Sequence, residues 1–206
     1  MNRRPRFGIR GVDAWRQPIG ATLDPSIVER ARRGDLEAFE WIVADRIGAV
    51  YRLTLAIVGN EADAADATQE TFIAAWRQMR TLRDPARLEA WLARIAVNAA
   101  RMTVRGRGRR ALREIHEVST GGEMLGSVPD ASLDRAQRAD HDARRLAAAL
   151  DRLDPDRRAI LAMRHLEDKG IAEIAAALGI REGTAKSRLF AARKALHAAL
   201  DLEAQG

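Results

Sequence analysis

Gly170-Ile-Ala-Glu-Ile-Ala-Ala-Ala-Leu-Gly179-Ile-Arg-Glu-Gly-Thr-Ala-Lys-Ser-Arg-Leu-Phe-Ala-Ala-Arg-Lys-Ala-Leu-His-Ala-Ala-Leu200 holds the key to the fold. Ile171, Ile174, Ala175 and Leu178 recur at i, i+3, i+4 and i+7, the signature of a short amphipathic helix that Gly179 ends. A longer helix follows from Glu182, with Ala185, Leu189, Ala192 and Leu196 in one apolar stripe. Helix, short Gly-containing turn, helix is the helix-turn-helix pattern. Opposite the stripe lie Ser187, Phe190, Ala191 and Lys194, flanked by Lys186 and Arg193 on one side and Thr184 and Arg188 on the other. With Arg181 in the turn, this makes a basic face that fits the DNA major groove, about 12 Å wide. A solvated basic face on a bundle helix is the competing description, and the Ala-Ala-Leu-Gly turn in front of it favours DNA.

Upstream, helix punctuation recurs and β-branched runs are short, so the whole chain reads as all-α. Asp24-Pro25, Asp84-Pro85 and Asp154-Pro155 each pair an N-cap with Pro at the first helical position. Asp35 opens a helix through Phe39, Ile42, Ile47, Val50, Leu53 and Ile57, and Asn60 opens one that buries Phe72, Trp76 and Met79. Leu88, Trp91, Leu92, Ile95 and Ala99 form the stripe of the next. From Gly106 to about Ala131, Gly, Ser and Pro predict breaks, with one short helix near Ala111 to Val118. A helix starting near Leu133 presents Leu146, Ala149 and Leu150, and Ile160, Leu161 and Met163 follow after Pro155.

The 206 residues hold no Cys, which excludes disulfides, thiol chemistry and Cys-ligated zinc. No apolar run approaches the roughly 18 residues of a membrane span, and the Arg-rich N-terminus lacks the apolar core of a secretory signal. A cytoplasmic protein without membrane insertion is expected. Formal net charge is +6, unevenly spread: +4 over residues 1–22, +4 over 23–113, −4 over 114–140 and +2 over 141–206. The reading is a basic disordered tail (1–22), a helical domain (23–113), an acidic flexible linker (114–140) and a helix-turn-helix domain (141–206).

Two further clusters carry chemistry. Asp63, Asp66 and Glu70 share a helix face at i, i+3 and i+7. Such carboxylates offset the helix dipole, dock a basic partner, or bind a metal. The helix of Trp91 runs through Asn98 into Arg101, Arg105, Arg107, Arg109, Arg110 and Arg113. An amide followed by guanidiniums suits a separated DNA strand, the amide holding a base and Arg the phosphates; a solvated basic face is again the plain alternative. Trp91 sits at core spacing, as do Trp41 and Trp76, which favours packing over stacking. The four His lie apart, and no phosphate loop or dinucleotide fingerprint is present. An enzyme is not expected, nor a cofactor or metal.

Three stretches together resemble the bacterial extracytoplasmic-function sigma factors. Asp63 to Arg77, with its Gln69-Glu70 pair, is similar to the acidic helix of that family's region two. Ala90-Trp-Leu-Ala-Arg-Ile-Ala-Val-Asn98 is similar to its promoter-melting segment, and Glu173 to Arg193 to the helix-turn-helix of region four. The resemblance implies that Asp63, Asp66, Gln69 and Glu70 dock on the β′ clamp helices of core RNA polymerase, and that region four meets the β flap. It implies that Asn98 and the loop from Thr81 to Leu88 capture a flipped base of the −10 element, Arg101, Arg105, Arg107 and Arg109 holding the strand. Arg181, Thr184, Lys186, Ser187, Arg188, Phe190, Arg193 and Lys194 would read the −35 duplex, and an anti-sigma factor would hold the two domains inactive.

The match has departures. Ala191 replaces a common Arg, Ala185 a common Val, Met102 a common Asp, and Ile171 stands where Tyr is frequent. Promoter sequence therefore does not carry over. The rival descriptions are a stand-alone helix-turn-helix regulator and an adaptor that never touches DNA. The acidic helix argues against the first and the basic recognition face against the second.

Overall fold

The computed structural model describes residues 23–114 and 133–203, with side chains over 23–107 and 141–203. Among these residues there are eight α-helices and no strand: α1 (Pro25–Arg32), α2 (Leu36–Val58), α3 (Glu61–Gln78), α4 (Leu88–Glu114), α5 (Leu133–Asp151), α6 (Pro155–His165), α7 (Ile171–Leu178) and α8 (Glu182–Glu203). Helix starts follow the cap signals. Asp24, Asp35, Asn60 and Asp154 each accept a backbone N–H from the first turn of α1, α2, α3 and α6. At Asp84-Pro85 the chain instead makes one 3₁₀ turn, Pro85–Arg87, before α4 begins.

The first half packs α2, α3 and α4 against one another, with α1 laid across α2. Phe39, Ile42, Ile57, Phe72, Met79, Leu92 and Val97 fill its core, and the Phe39 and Trp76 rings meet with centroids 5.0 Å apart. One polar pair lies inside. Thr54 Oγ donates to the Tyr51 carbonyl at 2.9 Å and sits 2.8 Å from Thr68 Oγ, both residues being almost fully buried. In the second half α8 packs on α5, α6 and α7, around Ile160, Met163, Ile174 and Leu189.

The halves also touch: α6 crosses α2, and α7 lies along α4. Arg46, itself buried, reaches Glu89 at 2.7 Å, and Lys169 of the second half approaches the same carboxylate at 3.5 Å. Arg101 pairs with Asp156 at 2.5 Å.

Several expectations need correcting. Gly106 and Gly108 do not end α4, which runs on to Glu114. Each interior Gly costs about 1 kcal/mol, and the Arg, Ala and Leu around them are good helix formers that offset it. Residues Ala111 to Glu114 belong to α4 rather than to a separate short helix, and 115–118 lie outside the described residues. The segment 114–140 is not all linker, since α5 starts at Leu133. Trp41 does not pack but is 61% exposed, because two residues after Phe39 on α2 place it some 200° around the helix. Leu146 is also exposed, α5 turning mainly Ala149 inward.

The buried hydroxyl pair gives a clear test. Thr54→Val strands the Thr68 hydroxyl and is expected to cost about 1–3 kcal/mol in urea unfolding. The Thr54→Val, Thr68→Val double variant removes both polar groups and is expected to cost less than the sum of the two single changes.

Candidate nucleic-acid and protein interfaces

The helix-turn-helix face is built by three local decisions. Glu173 reaches back to accept the Gly170 N–H at 2.7 Å, which fixes the start of α7. Gly179 ends α7 in the left-handed conformation, φ 65° and ψ 35°, its N–H bonding back to the Ala175 and Ala176 carbonyls. Ala185, Leu189 and Ala192 then bury one side of α8, leaving Lys186, Arg188, Arg193 and Lys194 exposed on the rest. Phe190 is 72% exposed at the middle of that basic surface. Arg181 is exposed in the turn and Thr184 half-buried; the Ser187 hydroxyl donates to the Thr184 carbonyl. All eight expected −35 residues thus lie in the turn or in α8 as far as Lys194, and the structure brings them onto one element.

The expected docking residues meet Asn98 and Arg107 in a groove of about 880 Å³ between α3 and α4, which Arg101 and Arg105 do not line. Asp63, Asp66, Gln69 and Glu70 line one wall and Asn98 and Arg107 the other, with Ile95, Ala99 and Met102 between them. Arg107 bridges the walls, donating to Asp63 at 3.1 Å and lying 3.5 Å from the Val58 carbonyl at the end of α2. It therefore braces α3 against α4, whereas Arg105 is exposed. Arg101 is engaged by Asp156, and the side chain of Arg109 lies outside the described residues.

Sequence reasoning missed Arg94. It is exposed and lines both this groove and a second cavity of about 440 Å³ beside the 81–88 loop and Trp91. The signal was present: Arg94, Asn98, Arg101 and Arg105 fall at i, i+4, i+7 and i+11, one polar strip along the helix. No group of His, Asp or Glu among the described residues is arranged to hold a metal. No described helix is long and apolar enough to cross a membrane.

Two helical units, one with an acid-and-amide groove and one ending in an exposed basic recognition helix, define a promoter-recognition protein. Residues 42–110 match Sigma-70 region 2 and residues 143–196 match Sigma-70, region 4. The chain is 32% identical over 182 residues to the RNA polymerase sigma-H factor of Pseudomonas aeruginosa, covering 86% of this chain and 93% of that protein. It is 35% identical to the ECF RNA polymerase sigma factor SigE of Mycolicibacterium smegmatis, covering 90% and 69% of the two. Among solved structures, CnrH in complex with the cytosolic domain of CnrY aligns with a TM-score of 0.62 and 26% identity, over 88% of this chain and 99% of that one. RpoE of Bartonella quintana, in complex with the anti-sigma factor NepR, shares the fold at a TM-score of 0.61. The chain belongs to the extracytoplasmic-function sigma factors of bacterial RNA polymerase. It directs promoter recognition and transcription initiation.

The turn supports a direct test. A Cβ on Gly179 would meet no atom within 4 Å, so only backbone strain penalises substitution. Gly179→Ala is expected to lower stability by about 1–2 kcal/mol and Gly179→Asn by less, read from thermal or urea unfolding.

Proposed function

We propose that the two faces divide the work between separated and duplex DNA. The α4 strip of Asn98, Arg101 and Arg105, with the 81–88 loop, captures the −10 strand, and exposed Lys186, Arg188, Phe190 and Lys194 on α8 read the −35 duplex. Arg94 joins the strand-binding set, since it is exposed on the same strip between the groove and the loop cavity. Asp66, Gln69 and Glu70 stand on the opposite wall, free to meet the β′ clamp helices of core polymerase, while the second half meets the β flap. The observation that carries this division is the groove itself, in which an acidic wall for protein faces an amide-and-guanidinium wall for nucleic acid.

Extruding a base from the stack costs a few kcal/mol, which strand capture on α4 offsets. Nothing in this reading calls for catalysis, a metal or a cofactor, and work on DNA fits a cytoplasmic protein. An anti-sigma partner fits the same reading, because RpoE of Bartonella quintana is held by one and CnrH is bound by the cytosolic domain of CnrY.

Run-off transcription with purified core polymerase on a promoter library tests the proposal. Lys186→Ala and Arg188→Ala are each expected to weaken promoter binding by about 1–3 kcal/mol where the side chain reads a base. Unchanged footprints count against the α8 assignment. Reversing charge at Asp66 and Glu70 is expected to weaken core binding while circular dichroism stays helical. Core affinity that survives the reversal sinks the docking assignment.

A further inference from the structure

We propose that the outer face of α2 around Trp41 is the docking surface for this chain's own N-terminal segment, residues 1–22. Trp41 is 61% exposed and Leu36 44%, the two large apolar side chains that α2 leaves open to solvent. At about 100° per residue, Leu36, Glu37, Glu40, Trp41, Ala44 and Asp45 share one side of the helix, opposite the buried Phe39 and Ile42. All six are exposed, and the charged ones are all acids. Glu37 has Arg30 only at 4.0 Å, Asp45 has Arg46 at 3.2 Å, and Glu40 makes no ion pair with any described residue.

An exposed indole set among carboxylates suits a partner that is both cationic and apolar. Guanidinium groups then pair with the acids or stack on the ring, and apolar side chains cover the rest. Residues 1–22 have that chemistry: formal charge +4, five Arg against the single acid Asp13, interspersed with Phe7, Ile9, Val12 and Trp15. A DNA backbone would satisfy the arginines but leave those apolar side chains and Trp41 in water. Docking on α2 covers both.

The segment also joins the chain within reach of this face. It ends at Leu23, which packs on the core just ahead of α1, and α1 lies across α2. The Asp35 N–H bonds to the Arg30 carbonyl at 3.2 Å, folding α1 tightly back to the start of α2. With about 1.5 Å per helical residue on either side of that turn, Leu23 and Trp41 are no more than about 30 Å apart. About nine extended residues at ~3.3 Å each span that distance, leaving more than half of the segment for the contact.

Fluorine NMR of the chain labelled with 5-fluorotryptophan tests the proposal, Trp41 being assigned by its loss in Trp41→Phe. Deleting residues 1–22 is expected to shift the Trp41 line and raise its solvent isotope effect, while Trp76 and Trp91 stay in place. In a Glu37→Lys, Glu40→Lys background the same deletion is expected to move the Trp41 line at least about threefold less. A Trp41 line indifferent to the deletion overturns the proposal, and if the truncated protein also loses affinity for duplex DNA, the segment belongs to DNA instead. A shift that depends on protein concentration places the contact between chains and overturns it too. Because the chain has no Cys, a second measurement needs no deletion. Gly11→Cys with Ala44→Cys is expected to close a disulfide under mild oxidation at least about tenfold faster than Gly11→Cys with Ala147→Cys, an exposed site on α5. Equal rates overturn the docking site.

Discussion

The structure depends on how α4 is buried. Leu88, Trp91, Leu92, Ile95, Ala96, Val97 and Ala100 are all turned inward, against α2 and α3 from the first half and α7 from the second. Over its middle turns such a helix has only a narrow strip left for polar groups. Arg94, Asn98, Arg101 and Arg105 occupy it, within about 60° of one another at 100° per residue. Burial by rigid neighbours fixes where those side chains start, so amide and guanidinium groups are presented in line along one helix rather than scattered over a loop.

Electrostatics then sorts the surfaces that packing leaves open. Asp63 lies in the first turn of α3, where the helix dipole favours it, and Arg107 ties it to α4. That brace is half-exposed, so its contribution to stability is small. Its value is positional, keeping the α3 and α4 walls of the groove at a fixed separation. Asp66 and Glu70, farther along the same face, are exposed and available to a protein partner. On α8 the sorting is simpler, with an Ala- and Leu-lined inner side and a cationic outer side around Phe190.

Most of the fold could be read from local signals. Asp24, Asp35, Asn60 and Asp154 cap the helices they were expected to cap, and the stripes on α4, α7 and α8 are largely buried where periodicity put them. The residues of α8 were equally legible, because one helix fixes them all. What was not legible depends on contacts between distant segments. Arg101 reads as a free cation in sequence, and nothing near it announces that Asp156, fifty-five positions later, will take it. Arg107 was assigned to DNA for the same reason, although its partner is Asp63. Glycine misled in the opposite direction: at Gly106 and Gly108 a strong local breaker was overridden by the continuing helix around it.

The absence of Cys first reads as a limit on chemistry, and in this architecture it has a sharper meaning. A chain with no thiol lacks the commonest redox switch, and what joins its two halves is non-covalent contact. The contact between the halves is mixed in character: Arg46 and Lys169 share Glu89, Arg52 lies 3.6 Å from Glu167 and Arg101 meets Asp156, so charge as well as apolar packing joins α6 and α7 to α2 and α4.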